Sequence, residues 1–437
     1  MAMRLTSILL VLTVMATGHL SPASGICDQE NLTIGALLPM SGDWASTGIS
    51  AQIALEHAEA DINNFLTDMN KSTRIQIIVK DTRTDPEATF EALKELEAQG
   101  LRIIIGPEDS ASLSRVREYA NESGIILISG GSTAPSLAIS GDTTFRLASD
   151  DTNLANAMAD LMTRNGAKAV VALARNDVWG NDLINATAES LSQMGGVKMT
   201  PLRYNPNSDD FSQILGDLRA LLEDARDEYG DGAVAVYLIA FDESMEILVQ
   251  ASRDPALASA RWYGTDPSGV LIREDERAAQ FAIKVGFIYP TVSQGNSSVV
   301  RRIAEDIRER QKIDMVSYAM NDYDAAWLIT YTYLLTGSSD PADFMRALPV
   351  FARTYRGYSG DAVLNDAGDR AFAFYTFWSL RDFGWHAPEC TSEQILFSPT
   401  REVFWTLLDC VLLIRRWLEG EHRWSFLVPL GESVYVL

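Results

Sequence analysis

The chain has 437 residues, which is too many for one ordinary hydrophobic core, so two lobes or one domain with attachments are expected. Its 36 Lys and Arg residues against 59 Asp and Glu residues give a formal net charge of −23. A surface this acidic repels phosphate backbones and anionic lipids, which argues against nucleic acid as a partner.

The first 27 residues have the features of a secretion signal. Arg4 precedes an apolar run at residues 8–16, and small residues occupy positions 23–25. The run is too short to anchor the chain across a bilayer. We therefore predict a signal peptide at residues 1–27 and an exported protein, either periplasmic or at the cell surface. Cys27 follows the small residues, which leaves open a lipid anchor on this cysteine.

Strand and helix patterns alternate after the signal. Continuous apolar runs are separated by amphipathic segments, as expected for a parallel sheet covered by helices on both faces. The predicted strands of this first unit are residues 32–38, 74–80, 102–106 and 124–129, and its predicted helices are residues 50–65, 86–98 and 110–120.

The same alternation restarts near residue 151, which predicts a second unit of similar size. The expected fold is α/β, with two doubly wound parallel-sheet lobes. The predicted helices of the second unit are residues 151–165, 178–194, 209–226 and 243–253, and its strands are residues 167–174, 197–204, 233–240 and 261–264. Further along we predict a strand at residues 283–289, helices beginning at Ser297, Tyr318 and Pro341, and a hairpin-like pair at residues 355–363 and 372–378.

Residues 386–437 abandon this pattern and are treated as an atypical tail. The apolar stretch at residues 403–414 is interrupted by Asp409, so it is too short and too broken for a convincing transmembrane helix. An interfacial or packing helix and a stretch of added or misread sequence both remain open.

Motifs for enzymes, metals and cofactors are not found in the sequence. There is no Gly-X-Ser-X-Gly elbow, Walker loop or Gly-X-Gly-X-X-Gly after a strand, so we predict no enzymatic activity and no cofactor. The three cysteines, Cys27, Cys390 and Cys410, cannot all pair, and the four histidines are isolated from one another, so no metal site is predicted.

Polar loops follow several of the predicted strands. Ligands of open α/β sheets bind beyond the carboxyl ends of the strands, so two facing sheets predict a site in the cleft between them. Ser110, Ser132 and Thr133 supply hydroxyls, and Gly131 lets backbone amides approach closely, which together suit a carboxylate. The same residues would also occur in a turn with ordinary helix caps, in which Ser110 caps the helix and binds no ligand.

The second unit contributes an acid to the expected cleft. Asp266 follows the strand at residues 261–264 and could accept a ligand ammonium group, although an Asp before Pro267 also suits a plain turn. Trp44, Trp179 and Phe241 could form flat apolar walls, or they could serve only in core packing.

The chain from about residue 32 to residue 385 resembles the type I periplasmic binding proteins, the family of the Leu/Ile/Val-binding protein and its amide- and urea-binding relatives. The match is carried by motifs that occur in the family's order: Ile-Gly-Ala-Leu-Leu-Pro-Met-Ser-Gly at residues 34–42, Ala-Glu-Ala-Asp-Ile-Asn at 58–63, Asp-Thr-Arg-Thr-Asp-Pro at 81–86, Ile-Ile-Gly at 104–106, Thr-Ala-Pro at 133–135 and Tyr-Asp-Ala-Ala at 323–326.

The resemblance implies a ligand and the residues that bind it. A small amino acid, branched-chain or aliphatic, would have its carboxylate held by Ser110, Thr133 and the backbone around Gly131, and its ammonium held by Asp266. Trp44 and Trp179 would line the pocket. The acids Glu108 and Asp109 before Ser110 depart from the family's pattern, so an amide or urea ligand stays open.

The resemblance also implies an architecture and a mechanism. Lobe 1 would comprise residues 30–147 and 290–356, and lobe 2 residues 148–289 and 357–385, joined by a three-stranded hinge that crosses near Ala148, Tyr289 and Gly357. A monomer would capture its ligand by hinge closure and deliver it to the membrane permease of an ABC transporter. The alternative is the ligand-sensing extracellular domain of a receptor.

Overall fold

The computed structural model describes residues 31–269, 271–293, 297–381, 384–386, 395–397, 427–430 and 433–436. The predicted signal peptide, Cys27 and the other two cysteines lie outside these residues, as does most of the atypical tail. The chain forms two compact units that divide between Phe397 and Ser398. In the second unit, the described residues form an antiparallel hairpin of strands β14 (Leu427–Leu430) and β15 (Ser433–Val436).

The first sheet is built from five parallel strands. Their spatial order is β2-β1-β3-β4-β5, with β1 pairing on both sides. The strands are β1 (Leu32–Leu38), β2 (Ile75–Asp81), β3 (Ile103–Ile105), β4 (Ile126–Ser129) and β5 (Thr144–Arg146), and the helices between them are α1 (Ala45–Asp68), α2 (Pro86–Ala98) and α3 (Ser110–Ser123).

The second sheet begins with the parallel strands β6 to β10 and ends with antiparallel ones. Its order is β7-β6-β8-β9-β10-β11-β12, and β13 also pairs with β11. The strands are β6 (Ala169–Arg175), β7 (Lys198–Tyr204), β8 (Val234–Ile239), β9 (Arg261–Gly264), β10 (Ile288–Val292), β11 (Ala373–Arg381), β12 (Gly384–His386) and β13 (Ile395–Phe397). The intervening helices are α4 (Asp151–Arg164), α5 (Val178–Gly195), α6 (Ser212–Tyr229), α7 (Ser244–Ala251) and α8 (Glu276–Lys284).

Three late helices return to the first sheet. Helices α9 (Ser298–Gln311), α10 (Ala319–Thr336) and α11 (Pro341–Ala352) share one apolar cluster with β1 and α1, in which Ile34, Tyr323 and Phe344 are buried. A second cluster covers the other face of this sheet, and two more cover the faces of the second sheet. The predicted α/β fold with two doubly wound lobes is confirmed.

The second and third crossings of the chain between the two lobes come later in the sequence than predicted. Strand β10 still belongs to the second sheet, so the second crossing follows Val292. The third crossing, predicted near Gly357, comes after Arg370, because the Arg370 amide donates to the Arg146 carbonyl and Ala362 packs in the first sheet's core. The segment after α11 is therefore tied to the first lobe by the end of β5.

Two predicted elements are wrong. Residues 283–286 end helix α8 rather than begin a strand, because Phe281 and Ala282 bury one face of that helix in the core. Residues 355–363 form no strand, and β11 pairs with β10 instead of closing a hairpin. A short apolar run satisfies a helix face and a strand equally well, so its pattern alone does not separate the two.

Aspartates begin many of the helices. A carboxylate at the N-cap satisfies backbone amides that have no partner inside the helix and favours the positive end of the helix dipole. The aspartates whose side chains cap in this way are Asp85, Asp109, Asp150, Asp177, Asp275 and Asp340. Within the described part of the chain, we find no helix with the length and apolar character needed to cross a membrane.

We predict that Phe281→Ala lowers the free energy of unfolding by about 3–5 kcal/mol, because it leaves a cavity beside Trp262 in the second lobe. Lys284→Ala, on the exposed side of the same helix, is the control and should change stability by less than about 0.5 kcal/mol. Urea unfolding followed by circular dichroism measures both. Equal effects of the two substitutions would contradict the buried helix face.

Candidate functional site

A small cavity lies where loops from both sheets meet. Its volume is about 10 Å³, roughly the space that one water molecule needs, and no Arg, Lys or His is among the described residues of its wall. Six of the eight predicted site residues line it, and Pro267 and Tyr318 complete the wall: the full lining is Trp44, Ser110, Gly131, Thr133, Trp179, Phe241, Pro267 and Tyr318. Ser132 and Asp266 do not line the cavity, although each is next in sequence to a residue that does.

Three aromatic rings from the two lobes stack together at the cavity. Trp44 lies on Phe241 with 4.3 Å between ring centroids and an interplanar angle of 6°. Trp179 stacks on the same Phe241 at 4.8 Å. All three are buried, so the walls predicted from the sequence form a continuous apolar surface that joins the lobes.

The turn at Gly42 positions the first of these rings. Gly42 has φ +88°, and a Cβ at this position would lie 2.1 Å from the carbonyl oxygen of Arg83. The Trp44 amide then donates to Thr84 Oγ1 at 3.1 Å. The loop between β2 and α2 therefore holds Trp44 against the second lobe.

Hydroxyl groups connect the two polar loops of the first lobe. Ser110 Oγ lies 3.0 Å from Ser132 Oγ and accepts from the Ala134 amide at 3.2 Å. Ser110 is not the helix cap that the sequence allowed, because Asp109 Oδ1 accepts from the Ser112 amide and takes that role. The Ser110 hydroxyl is thereby left at the cavity wall.

Thr133 contacts an acid that the sequence analysis missed. Its hydroxyl donates to Asp151 Oδ2 at 2.8 Å, and Asp151 is 2% exposed. Burial raises the pKa of Asp151 well above its ordinary value, and the nearby Asp266 raises it further. Asp151 opens helix α4, and a first-turn acid is so common there that only the fold marks it as part of the site.

Asp266 is buried and only partly hydrogen bonded. Its carboxyl accepts from the Tyr318 hydroxyl, whereas its Oδ2 has no partner among the described residues. Burial raises the pKa of Asp266 to about 7. Two acids with raised pKa values therefore lie beside a cavity that has no cationic residue in its wall, which suits a positively charged guest group.

Hydrogen bonds between the lobes close the cleft next to the aromatic stack. Ser46 donates to the Asp242 carboxylate through its hydroxyl at 2.6 Å and through its amide at 3.0 Å. The Asp242 amide donates to the Asp43 carbonyl at 3.1 Å. Arg175, paired with Glu243 at 2.7 Å, also lies 3.5 Å from the Asp43 carboxylate. We call this set of contacts the Ser46–Asp242 latch.

Arg146 supports the loop that carries Thr133 from within the first lobe. Its guanidinium donates to the carbonyl of Ala134 at 2.8 Å and forms a bidentate ion pair with Asp369. Both side chains are buried. The segment that precedes the third crossing therefore contributes to the shape of the loop that carries Thr133. Across the described ranges, no three His, Cys, Asp or Glu side chains are grouped to hold a metal ion.

Comparison with known proteins agrees with this architecture. The family model described as "Receptor family ligand binding region" matches residues 50–380. The chain belongs to this family, and its fold is that of the type I periplasmic binding proteins.

Relatives and solved structures extend over most of the chain. An uncharacterised protein of Methanocaldococcus jannaschii is 28% identical and covers 82% of this chain and 89% of its own length. The Leu/Ile/Val-binding protein BraC3 of Rhizobium johnstonii is 21% identical and covers 83% of this chain and 96% of its own.

Two solved structures share the fold. The leucine-binding protein LivK of Thermotoga maritima has a TM-score of 0.67 at 19% identity and covers 81% of this chain and 97% of its own. A solute-binding protein of an R. palustris ABC transporter, solved with benzoate, has a TM-score of 0.67 at 16% identity. The match covers 82% of this chain and 95% of that protein's chain.

Proposed function

We propose that this protein is an exported solute-binding protein that captures a small aliphatic amino acid in the interlobe cleft and presents it to the permease of an ABC transporter. The observation that carries the proposal is the buried Asp266 carboxyl, which has an oxygen without a partner beside a cavity lined by hydroxyls and aromatic rings. No chemical step on the ligand is involved.

The two ends of a zwitterion fit different lobes. Asp266 and Asp151 can both attract an ammonium group, since neither is paired with a cation in the portion of the chain that the structure describes. On the first lobe, Ser110, Thr133 and the backbone at Gly131 offer polar atoms to a carboxylate. An amino acid would therefore bridge the lobes and favour their closed arrangement.

The walls of the cavity favour a small apolar side chain. In the described arrangement the cavity has a volume of about 10 Å³, room for about one water molecule, so a ligand of leucine size requires the lobes to separate. The stacked aromatic rings carry no charge, so this wall offers no ion-pair partner to a polar side chain of the ligand. The names of BraC3 and LivK, which specify Leu/Ile/Val and leucine, support the same class of ligand. An uncharged amide or urea could donate N–H groups to the acids but would bring no positive charge to them.

Benzoate, the ligand in the R. palustris structure, raises an aromatic acid as a second candidate. Such an anion could lie against the aromatic rings. It would leave Asp151 and Asp266 buried beside a negative charge, however, which is electrostatically unfavourable. The geometry therefore favours the amino acid.

We predict that Asp266→Asn weakens binding of L-leucine at least about 30-fold, equivalent to about 2 kcal/mol, because the ammonium loses its ionised partner in a buried site. Calorimetric titration at pH 7.5 against leucine, benzoate, acetamide and urea tests this. Asp227→Asn makes the same charge change on the exposed side of α6 and serves as the control. Tight binding of urea or benzoate in place of leucine would refute the amino-acid assignment.

We also predict that leucine binding releases protons near pH 6.5. Asp266, with a pKa of about 7 before binding, is largely protonated at this pH, and an ammonium beside it lowers that pKa. Titrations in phosphate and in imidazole, which both buffer at pH 6.5 but differ in ionisation enthalpy, would give different apparent heats. The difference should shrink in Asp266→Asn. Identical heats in both buffers for the unmodified protein would exclude the linkage.

Closure by the Ser46–Asp242 latch gives a further prediction. Ser46→Ala removes one charge-assisted hydrogen bond between the lobes, so the closed form should become less populated and the apparent affinity for leucine should fall several-fold. Small-angle scattering without ligand should show a larger radius of gyration. Ser212→Ala, exposed at the start of α6, is the control. An unchanged radius and affinity would show that the latch does not hold the lobes together.

A further inference from the structure

Two acids of the first lobe are buried beneath the loop that lines the cavity. Glu108 precedes helix α3, and Asp322 lies in the first turn of α10; both are 0% exposed. Glu108 Oε1 accepts the Gly130 amide at 3.4 Å. Within the described part of the chain, Glu108 Oε2 and both oxygens of Asp322 accept no hydrogen bond from an N–H or O–H group.

Among the described residues, no cation neutralises these acids. The other titratable group that acts on Glu108 is Asp109, which is also an acid and is engaged in capping Ser112. Arg146 contacts the same loop through the Ala134 carbonyl, but its charge is paired with Asp369. Two ionised carboxylates in this environment would repel each other strongly.

A proton between the two side chains removes this conflict. The Asp322 and Glu108 carboxyls are placed to hydrogen bond with each other, which is feasible only when one of them is protonated. Burial raises the pKa of Glu108 to about 8, and burial together with the charge of Glu108 raises that of Asp322. The pair therefore keeps at least one proton at neutral pH.

The turn above the pair packs directly against it. A Cβ on Gly130 would lie 2.3 Å from Asp322 Oδ1, and a Cβ on Gly131 would lie 2.8 Å from Glu108 Oε2. The neighbouring Asn321 donates to the Gly130 carbonyl at 2.7 Å. Any change in the separation of the two carboxyls must therefore move the turn.

We propose that Glu108 and Asp322 share a proton and form a positioning pair that sets the shape of the Gly130–Gly131 turn and, through it, the affinity of the cleft. The part concerning affinity rests on the proposed function, whereas the shared proton does not. Loss of the proton separates the two carboxylates and displaces the turn that leads to Thr133. The pair thus makes the ligand site sensitive to alkaline pH.

The proton can be tested without any ligand. Infrared difference spectroscopy at pH 7 should show the C=O band of a buried protonated carboxyl, and this band should be lost in Glu108→Gln. The glutamine amide can still donate to Asp322, so the variant keeps a hydrogen bond but has no proton to titrate. Glu118→Gln, on the exposed side of α3, is the matched control and should retain the band.

Stability as a function of pH gives a second readout. Between about pH 4.5 and pH 8 the folded chain keeps a proton on Glu108 that the unfolded chain releases, so the free energy of unfolding falls as pH rises through this window. The slope of the free energy of unfolding against pH should decrease in magnitude in Glu108→Gln by the equivalent of up to one proton, and it should stay unchanged in Glu118→Gln. An unchanged slope with no lost band would overturn the shared proton. If the infrared band is absent and added sodium or calcium salts stabilise the protein, a bound cation rather than a proton lies between the Glu108 and Asp322 carboxyls.

The effect on the site is measured with L-leucine as the probe. Affinity of the unmodified protein should fall at least several-fold between pH 7 and pH 9.5, and the affinity of Glu108→Gln should change much less. If both proteins bind leucine with the same pH dependence, the positioning role is wrong. If neither binds leucine while the infrared band behaves as expected, the proposed function fails and the proton-sharing pair stands.

Discussion

Buried carboxyl groups that have no neutralising cation within the described part of the chain are the constraint on which the cleft of this protein depends. Asp266 and Asp151 lie at the cavity with pKa values raised by burial, and Glu108 and Asp322 lie beneath its Gly130–Gly131 turn. Removing such groups from water is costly, so each must be compensated by a proton, a hydrogen-bond donor or a bound cation. At the cavity the compensation can come from a ligand, and beneath the turn we propose that it comes from a proton.

The fold brings these groups together by a general property of parallel sheets. Loops at the carboxyl ends of the strands gather at one edge, and the two sheets of this protein supply such edges to one cleft. The aromatic stack of Trp44, Phe241 and Trp179 covers the cleft with apolar surface, while Ser46 and Asp242 link the lobes by hydrogen bonds. Because the residues around the cavity are buried, electrostatic contacts between them are stronger than they would be at an exposed surface.

Much of the site could be predicted because it follows directly from strands that are easy to recognise. Trp44, Ser110, Gly131 and Thr133 come shortly after apolar runs, and each lies at the cavity wall. Tyr318 could not be predicted in the same way, since it precedes a helix far along the chain and reaches the cavity only because α10 packs on the first sheet. The exchange of roles between Ser110 and Asp109 depended on which side chain reached the free amide of Ser112.

The sequence by itself determined the alternation of elements, the helix at Pro86–Ala98, the strand at Leu32–Leu38 and the family, because hydrophobic periodicity, capping residues and ordered motifs are local properties of the chain. Only the tertiary structure decided that Asp151 joins Asp266, that Glu108 meets Asp322, and that the third crossing follows Arg370. These outcomes depend on which distant groups become neighbours and on how much water they lose, and neither quantity is encoded in the spacing of residues along the sequence.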